Sequence, residues 1–333
     1  MKKILFLFLI IVLISGCEKQ AKDDGIIDDD KNNNMISERD FYVGIAGLVP
    51  ANYPKPSNSD WTEFFSSINN YGEVFGDYVE WNDNLKENVP SQMLVVDELS
   101  KKNSFTPVYA IGFKKIKDNF FKDEGSKYKD IAVSVAKKLK PKYLALGVEV
   151  NTLYEDNAKD FDEYVKVYKE AYDEIKKVSP ETNVFPIFQL EYTKGNGKLS
   201  GRARNEEWFL IGKFENKMDL IGFTTYPMLD FEDPTEMPAD YYEDIKKHTD
   251  KKVAFTEIAW LSGTVNGRTS SEKEQAEFLD RFLELTKNLD KEFVVWTLAY
   301  DLNGNNLFST IALRKNNGEK KEVYNKWMEL KNK

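Results

Sequence analysis

From residue 39 onward, short apolar runs alternate with longer stretches in which apolar positions recur every three or four residues. The short runs fall at 42–48, 78–81, 106–111, 143–149, 183–190, 220–226, 253–257 and 293–298. Short, nearly continuous apolar runs bounded by polar or Gly/Pro positions are the pattern of strands buried on both faces of a parallel sheet. Between them, Phe161, Tyr164, Val165, Tyr168, Ala171, Tyr172, Ile175 and Val178 mark one helical face. A second helix is predicted over 270–289, with Ser270 or Ser271 as cap, Glu274 as capping-box acid, and Phe278, Leu279, Phe282, Leu283 and Leu289 as its buried stripe. A last helix over 320–331 carries Val323, Tyr324, Trp327, Met328 and Leu330. Eight alternating strand and helix units predict a single (β/α)8 TIM barrel over residues 39–333.

Two of these runs end in an acid. KYLALGVEVN ends the fourth run at Glu149, and KVAFTEIAW ends the seventh at Glu257. A carboxylate is costly to bury unless something pairs or uses it, and the carboxyl edge of a parallel barrel is where active sites are built. Strands four and seven face each other across the mouth. Glu80, Glu191 and Asp301 are further acids at strand ends, and Glu191 in FQLEYT is the chief rival to Glu149. The plainer role for any of these acids is a structural ion pair or simple exposure.

The chain before residue 39 has a different pattern. Lys2 and Lys3 precede an apolar run over 4–14, which is shorter than the roughly 20 residues of a spanning helix but suits a secretory signal. Ile14-Ser15-Gly16-Cys17 resembles the lipobox of bacterial lipoproteins, in which the cysteine becomes the lipid-bearing first residue. Cys17 is the only cysteine in the chain, so disulfides are excluded from the fold. Residues 1–17 are therefore read as a lipoprotein signal peptide. Residues 18–38, acidic and rich in asparagine, are read as a flexible tether. The expected location is the cell membrane or cell surface, extracytoplasmic, with a lipid on Cys17 as the anchor. Without Lys2 and Lys3 there remain 45 basic against 56 acidic residues, a net charge of −11. That balance argues against nucleic acid as a partner.

Composition also removes several chemistries. The only histidine, His248, lies in a charged stretch and reads as a solvated surface residue, so neither a Ser-His-Asp triad nor a His/Cys metal site has material to build on. Gly44 and Gly47 in VGIAGLVP lack the third glycine of a dinucleotide fingerprint. Carboxylates are left, and glycosidic hydrolysis needs two of them. No cofactor is then required. The partner expected is a carbohydrate bound by a monomer. Aromatic side chains suit such a ligand because sugars present apolar C–H faces. Trp61, Trp81, Tyr109, Tyr154, Trp208, Trp260 and Tyr300 lie in or near strand-to-helix segments, and Trp81, Trp260 and Trp296, each within a few residues of a strand's carboxyl end, are the ones expected to face the ligand.

On the motifs LGVEVN, FTEIAW, GFTTYPM and VVWTLAYD, the chain from about residue 42 to 327 resembles glycoside hydrolase clan A, the retaining (β/α)8 glycosidases, and within it the arabinogalactan endo-β-1,4-galactanases. That resemblance implies Glu149 as acid/base and Glu257 as nucleophile. It implies Tyr226 as the aromatic orienting the nucleophile and Trp296 as the floor of the sugar site. Two departures stand out. The clan places asparagine before its acid/base, where this chain has Val148, and the clan's arginine near the end of strand two is missing from DYVEWNDN. Asn151 or Gln189 is the candidate replacement for the lost sugar hydrogen bond. The reading is a retaining hydrolase of a β-linked oligo- or polysaccharide. Its alternatives are a carbohydrate-binding lipoprotein on a barrel without turnover, and a structural envelope lipoprotein without sugar affinity.

Overall fold

The computed structural model describes residues 39–81, 89–113, 119–196 and 205–333. The stretches read from the sequence as signal peptide (1–17) and tether (18–38), with Cys17, lie outside the described residues.

The described strands are β1 (Tyr42–Ala46), β2 (Val74–Glu80), β3 (Thr106–Gly112), β4 (Tyr143–Leu146), β5 (Asn183–Phe185), β6 (Ile187–Gln189), β7 (Ile221–Thr225), β8 (Val253–Ile258) and β9 (Lys291–Trp296). All pair in parallel, in the order β5-β4-β3-β2-β1-β9-β8-β7-β6. The two ends of that list are separated in sequence only by Pro186, so β5 and β6 are halves of one strand and the sheet closes on itself. Proline has no N–H to give to a ladder, which accounts for the break. Its carbonyl still accepts from Gly222 N at 3.0 Å. The eight runs read from the sequence are therefore the eight barrel strands. The boundaries differ most at β2, which begins at Val74 rather than 78, and at β4, which stops at Leu146 rather than at Glu149.

Helices α1 (Asn58–Tyr71), α2 (Ser91–Asn103), α3 (Phe120–Leu139), α4 (Asn151–Asp156), α5 (Ala158–Val178), α6 (Leu190–Thr193), α7 (Phe209–Gly212), α8 (Glu272–Leu285) and α9 (Glu322–Lys331) cover the outside. The long α5 has the predicted stripe, and its cap Asn157 accepts from Asp160 N at 3.1 Å. Ser271 caps α8 by accepting from Glu274 N at 3.2 Å. Each such cap contributes about 1 kcal/mol. The rhythm is less regular than predicted after β6 and β7. There α6 and α7 are single turns, and β7 is joined to β8 by 3-10 turns at Pro227–Leu229, Pro234–Glu236 and Glu243–Lys247.

Inside the barrel, Val74, Val108, Tyr143, Phe185 and Phe293 pack with the smaller Ala46, Ala110, Ala145 and Ala254. Large side chains from some strands thus fill the space left by small ones on others. The small residues matter for the site, because they leave room for Tyr78 to lie across the interior.

One buried acid lies on the outward face of β2. Asp77 Oδ1 accepts from Gln92 Nε2 at 2.6 Å, and Oδ2 has no hydrogen-bond partner among the described residues. Burial pushes its pKa up from 3.8 to about 7, against the lowering effect of Gln92. The folded chain therefore keeps a proton that the unfolded chain releases above about pH 4, and this group lowers stability as pH rises from about 4 to 7. Asp77→Asn is accordingly expected to raise the Tm relative to wild type at pH 8 and to leave it unchanged at pH 4. Thermal melts at the two values check this.

Candidate active site

Glu257 reaches the barrel interior through an irregularity in β8. Register runs Phe223 with Phe255, then Thr224 with Glu257, so β8 holds one residue more than β7 across this step. Such a bulge re-aims every side chain after it. Glu257 is 4% exposed, and the Tyr226 hydroxyl donates to its Oε2. Tyr226 follows directly on β7. Its hydroxyl is raised well above the usual phenol range by burial first, then by the carboxylates of Glu257 and Glu149, so it remains a neutral donor. Thr297 Oγ1, just beyond β9, lies 3.5 Å from the same hydroxyl.

Glu149 comes from the turn after β4 rather than from the strand itself. Gly147 has φ +95°, and a Cβ there would lie 2.6 Å from Phe113 and Val150 and 2.7 Å from the Tyr164 hydroxyl. Only glycine fits that backbone. Glu149 has φ +52°, the left-handed region that costs a non-glycine residue of order 1 kcal/mol and is concentrated at functional sites. Backbone bonds from Gly147 N to Ile111 O (2.9 Å) and from Val150 N to Ile187 O (2.9 Å) hold the turn to its neighbouring strands. The half-buried Glu149 then accepts from Thr224 Oγ1 at 3.0 Å. Thr224 is the residue whose Cα pairs with Glu257. Both carboxylates thus converge on the end of β7, one through Thr224 and one through Tyr226.

The other sequence candidates separate from this pair. Asn151 is fully buried, donating to Gln189 O (3.0 Å) and Thr193 Oγ1 (3.3 Å) and accepting from Gln189 N (2.9 Å). Gln189 caps α6 through Tyr192 N (2.7 Å) and donates to Glu191 Oε2 (2.6 Å). Both amides are buried and brace the strand ends through hydrogen bonds within the protein. Trp296 does not floor the site. Phe293 and Val295 take the inward positions of β9, so Trp296 points outward between Phe278 and Trp327, with Nε1 donating to Ile311 O at 2.8 Å. Trp260 is likewise buried, stacked on Phe278 at 5.4 Å, with Nε1 donating to Ser270. Trp81 packs on Phe120 and Tyr128 of α3. Their common displacement follows from strand alternation, since a position near a strand end faces the helices as often as the mouth.

Of the rival acids, Asp301 is paired with buried Lys321 at 2.7 Å. Glu191 is fully buried and accepts from Thr225 Oγ1 (2.6 Å), Tyr226 N (3.0 Å), Gln189 Nε2 (2.6 Å) and Tyr241 Oη (3.2 Å). Burial pushes its pKa up to about 7. It anchors the backbone of Tyr226 and stands behind the pair. Glu80 is half-buried at the end of β2, against Gly112. His248 is exposed, as predicted, but also stacks on Trp208 at 4.4 Å. Sequence reasoning missed Thr224, Thr297 and Tyr78. Tyr78 had a signal: in VFGDYVE it shares a face with Gly76 and Glu80.

The chain is similar in backbone to several solved structures. A family 39 glycoside hydrolase from Bacteroides cellulosilyticus WH2 matches with a TM-score of 0.59 at 18% identity, covering 87% of this chain and 63% of that one. An exo-β-1,4-mannosidase from Opitutaceae bacterium strain TAV5 matches with 0.66 at 13% identity, covering 87% and 59%. The GH53 catalytic domain of Ignisphaera aggregans matches with 0.58 at 14% identity, covering 88% and 97%. The chain spans less than two thirds of the length of the first two. These likenesses establish the fold, a parallel (β/α)8 barrel of the kind seen in those glycoside hydrolases. No family model matches the sequence, and no curated protein does.

Proposed function

We propose that the protein is a retaining glycoside hydrolase of β-linked oligo- or polysaccharides, with Glu149 as acid/base and Glu257 as nucleophile. The observation that carries this reading is the convergence of the two carboxylates on Thr224 and Tyr226 at the mouth of a glycosidase-type barrel. Glu149 protonates the leaving oxygen while Glu257 attacks the anomeric carbon. The glycosyl-enzyme ester is then cleaved by a water that Glu149, now ionised, deprotonates. Tyr226 holds Glu257 in a fixed rotamer, and a positioned general acid contributes about 10²- to 10⁴-fold. A panel of aryl β-glycosides tests the reading. Mannosides and galactosides come first, because the fold relatives include a mannosidase and the sequence resembles the galactanases. Turnover with a β-configured first product, and covalent labelling of Glu257 by a 2-deoxy-2-fluoro glycoside, support it; an α-configured product or a label elsewhere refutes it.

A second reading rests on Val148. Its half-buried side chain packs on the apolar interior beside Glu149, where the resembled clan has asparagine. A sugar-binding barrel without turnover has the same geometry. Inert wild-type protein that gains hydrolysis on Val148→Asn would favour it. For either reading we propose a lipid on Cys17 as the tether to the cell surface, so that Cys17→Ser moves the protein from the membrane to the soluble fraction.

A further inference from the structure

Strict alternation along β8 does not bring Glu257 inward. Ala254 belongs to the interior cluster, and Phe255 faces outward against Tyr242 and Phe282. The next inward position is Thr256, which leaves Glu257 outside the barrel. The extra residue in β8 reverses this and puts Glu257 level with Thr224. A bulge takes backbone groups out of the regular ladder, and buried ones need another partner. At Thr256, Oγ1 donates to Phe223 O at 3.2 Å, and the carbonyl receives the Tyr78 hydroxyl at 2.7 Å.

That hydroxyl comes from β2, with β1 and β9 lying between it and β8. Its path is kept clear by small residues. A Cβ on Gly76 would lie 2.8 Å from Ala46 Cβ and 3.1 Å from both the ring and the hydroxyl of Tyr78. The ring packs against the same apolar cluster as Val148, the residue before Glu149.

We infer that Tyr78 is a positioning residue for the nucleophile: its bond to Thr256 O holds the β8 bulge that turns Glu257 into the mouth. The inference rests on the hydrolase reading for its catalytic meaning. Burial first, then the Glu257 carboxylate, raises the Tyr78 hydroxyl well above its ordinary range, so it stays a neutral donor. Tyr78 acts through Glu257 and takes no proton from the substrate.

The test compares Tyr78→Phe with Tyr143→Phe in the full chain. Tyr143 is an interior tyrosine whose hydroxyl bonds to Glu292, away from the bulge, and so it controls for loss of any buried hydroxyl. Tyr78→Phe is expected to lower kcat about 10- to 100-fold with KM nearly unchanged, the range set by leaving one buried carbonyl without its donor. The loss should be the same for good and poor leaving groups, since the nucleophile and not the acid is displaced. Labelling of Glu257 by the fluoro glycoside should slow by the same factor. A crystal structure of Tyr78→Phe should show Glu257 withdrawn from Tyr226. Unchanged kcat and labelling, or an equal loss in Tyr143→Phe, overturns the inference. If wild type cleaves no glycoside, the hydrolase reading fails and the crystal structure alone decides: Glu257 still against Tyr226 in Tyr78→Phe overturns the role given to Tyr78.

Discussion

Glu257→Gln is expected to lower kcat by at least about a thousandfold, or about 4 kcal/mol of lost transition-state stabilisation. The amide has no charge with which to form the glycosyl ester, even where its oxygen accepts from the Tyr226 hydroxyl as the carboxylate did. KM for an aryl glycoside should change little, because the substitution keeps the size and shape of the side chain. Glu149→Ala behaves differently. It removes the proton donor, so glycosides with poor leaving groups lose most of their rate while activated aryl glycosides still form the intermediate. Azide then enters the vacated space and restores turnover as a β-glycosyl azide. Steady-state rates for a leaving-group series, with and without azide, separate the two residues. Equal behaviour of both variants, with no azide product from either, would sink the assignment of roles.

How far this site was legible from sequence depends on which physical rule placed each residue. Hydrophobic periodicity revealed the barrel because every strand is buried on both faces, and that demand is written into each run. It also led to Glu149 and Glu257, since an acid at the end of an apolar run is conspicuous. What periodicity cannot show is the direction of a side chain where register breaks. Glu257 turns inward only through the extra residue at Thr256, and Glu149 emerges from a turn made possible by Gly147 at φ +95°. The partners that hold the pair come from other strands: Thr224 from β7 and Tyr226 directly after it, beside β8, and Tyr78 from β2 across the closed ring. Of these, only Tyr226 was reached beforehand, through resemblance. The tryptophans failed for the converse reason. Nearness to a strand end is visible in sequence, but the face is decided by alternation counted from interior residues such as Phe293 and Val295.

Trp296 turns that difference into a measurement. Its indole is fully buried between α8 and α9, 6.2 Å from the Phe278 ring and 5.8 Å from the Trp327 ring, and its N–H satisfies the Ile311 carbonyl. Trp296→Ala should therefore cost about 3–5 kcal/mol of stability, chiefly from the cavity it leaves. The orphaned Ile311 carbonyl adds about 1 kcal/mol or more. For a barrel of ordinary stability that is a large share of the total, and the variant should unfold at much lower denaturant. Its folded fraction at low temperature should nevertheless bind and cleave as wild type does, since no atom of the indole reaches Glu149, Thr224, Tyr226 or Glu257 by hydrogen bond. Trp296→Phe keeps most of the packing, loses the N–H bond, and should fall between the two in stability with unchanged KM. A sugar-stacking tryptophan predicts the reverse: a KM raised several-fold by either substitution, with the denaturation midpoint hardly moved. Denaturant titration and KM on the same two variants distinguish an indole that holds the outer helices to β9 from one that holds the substrate.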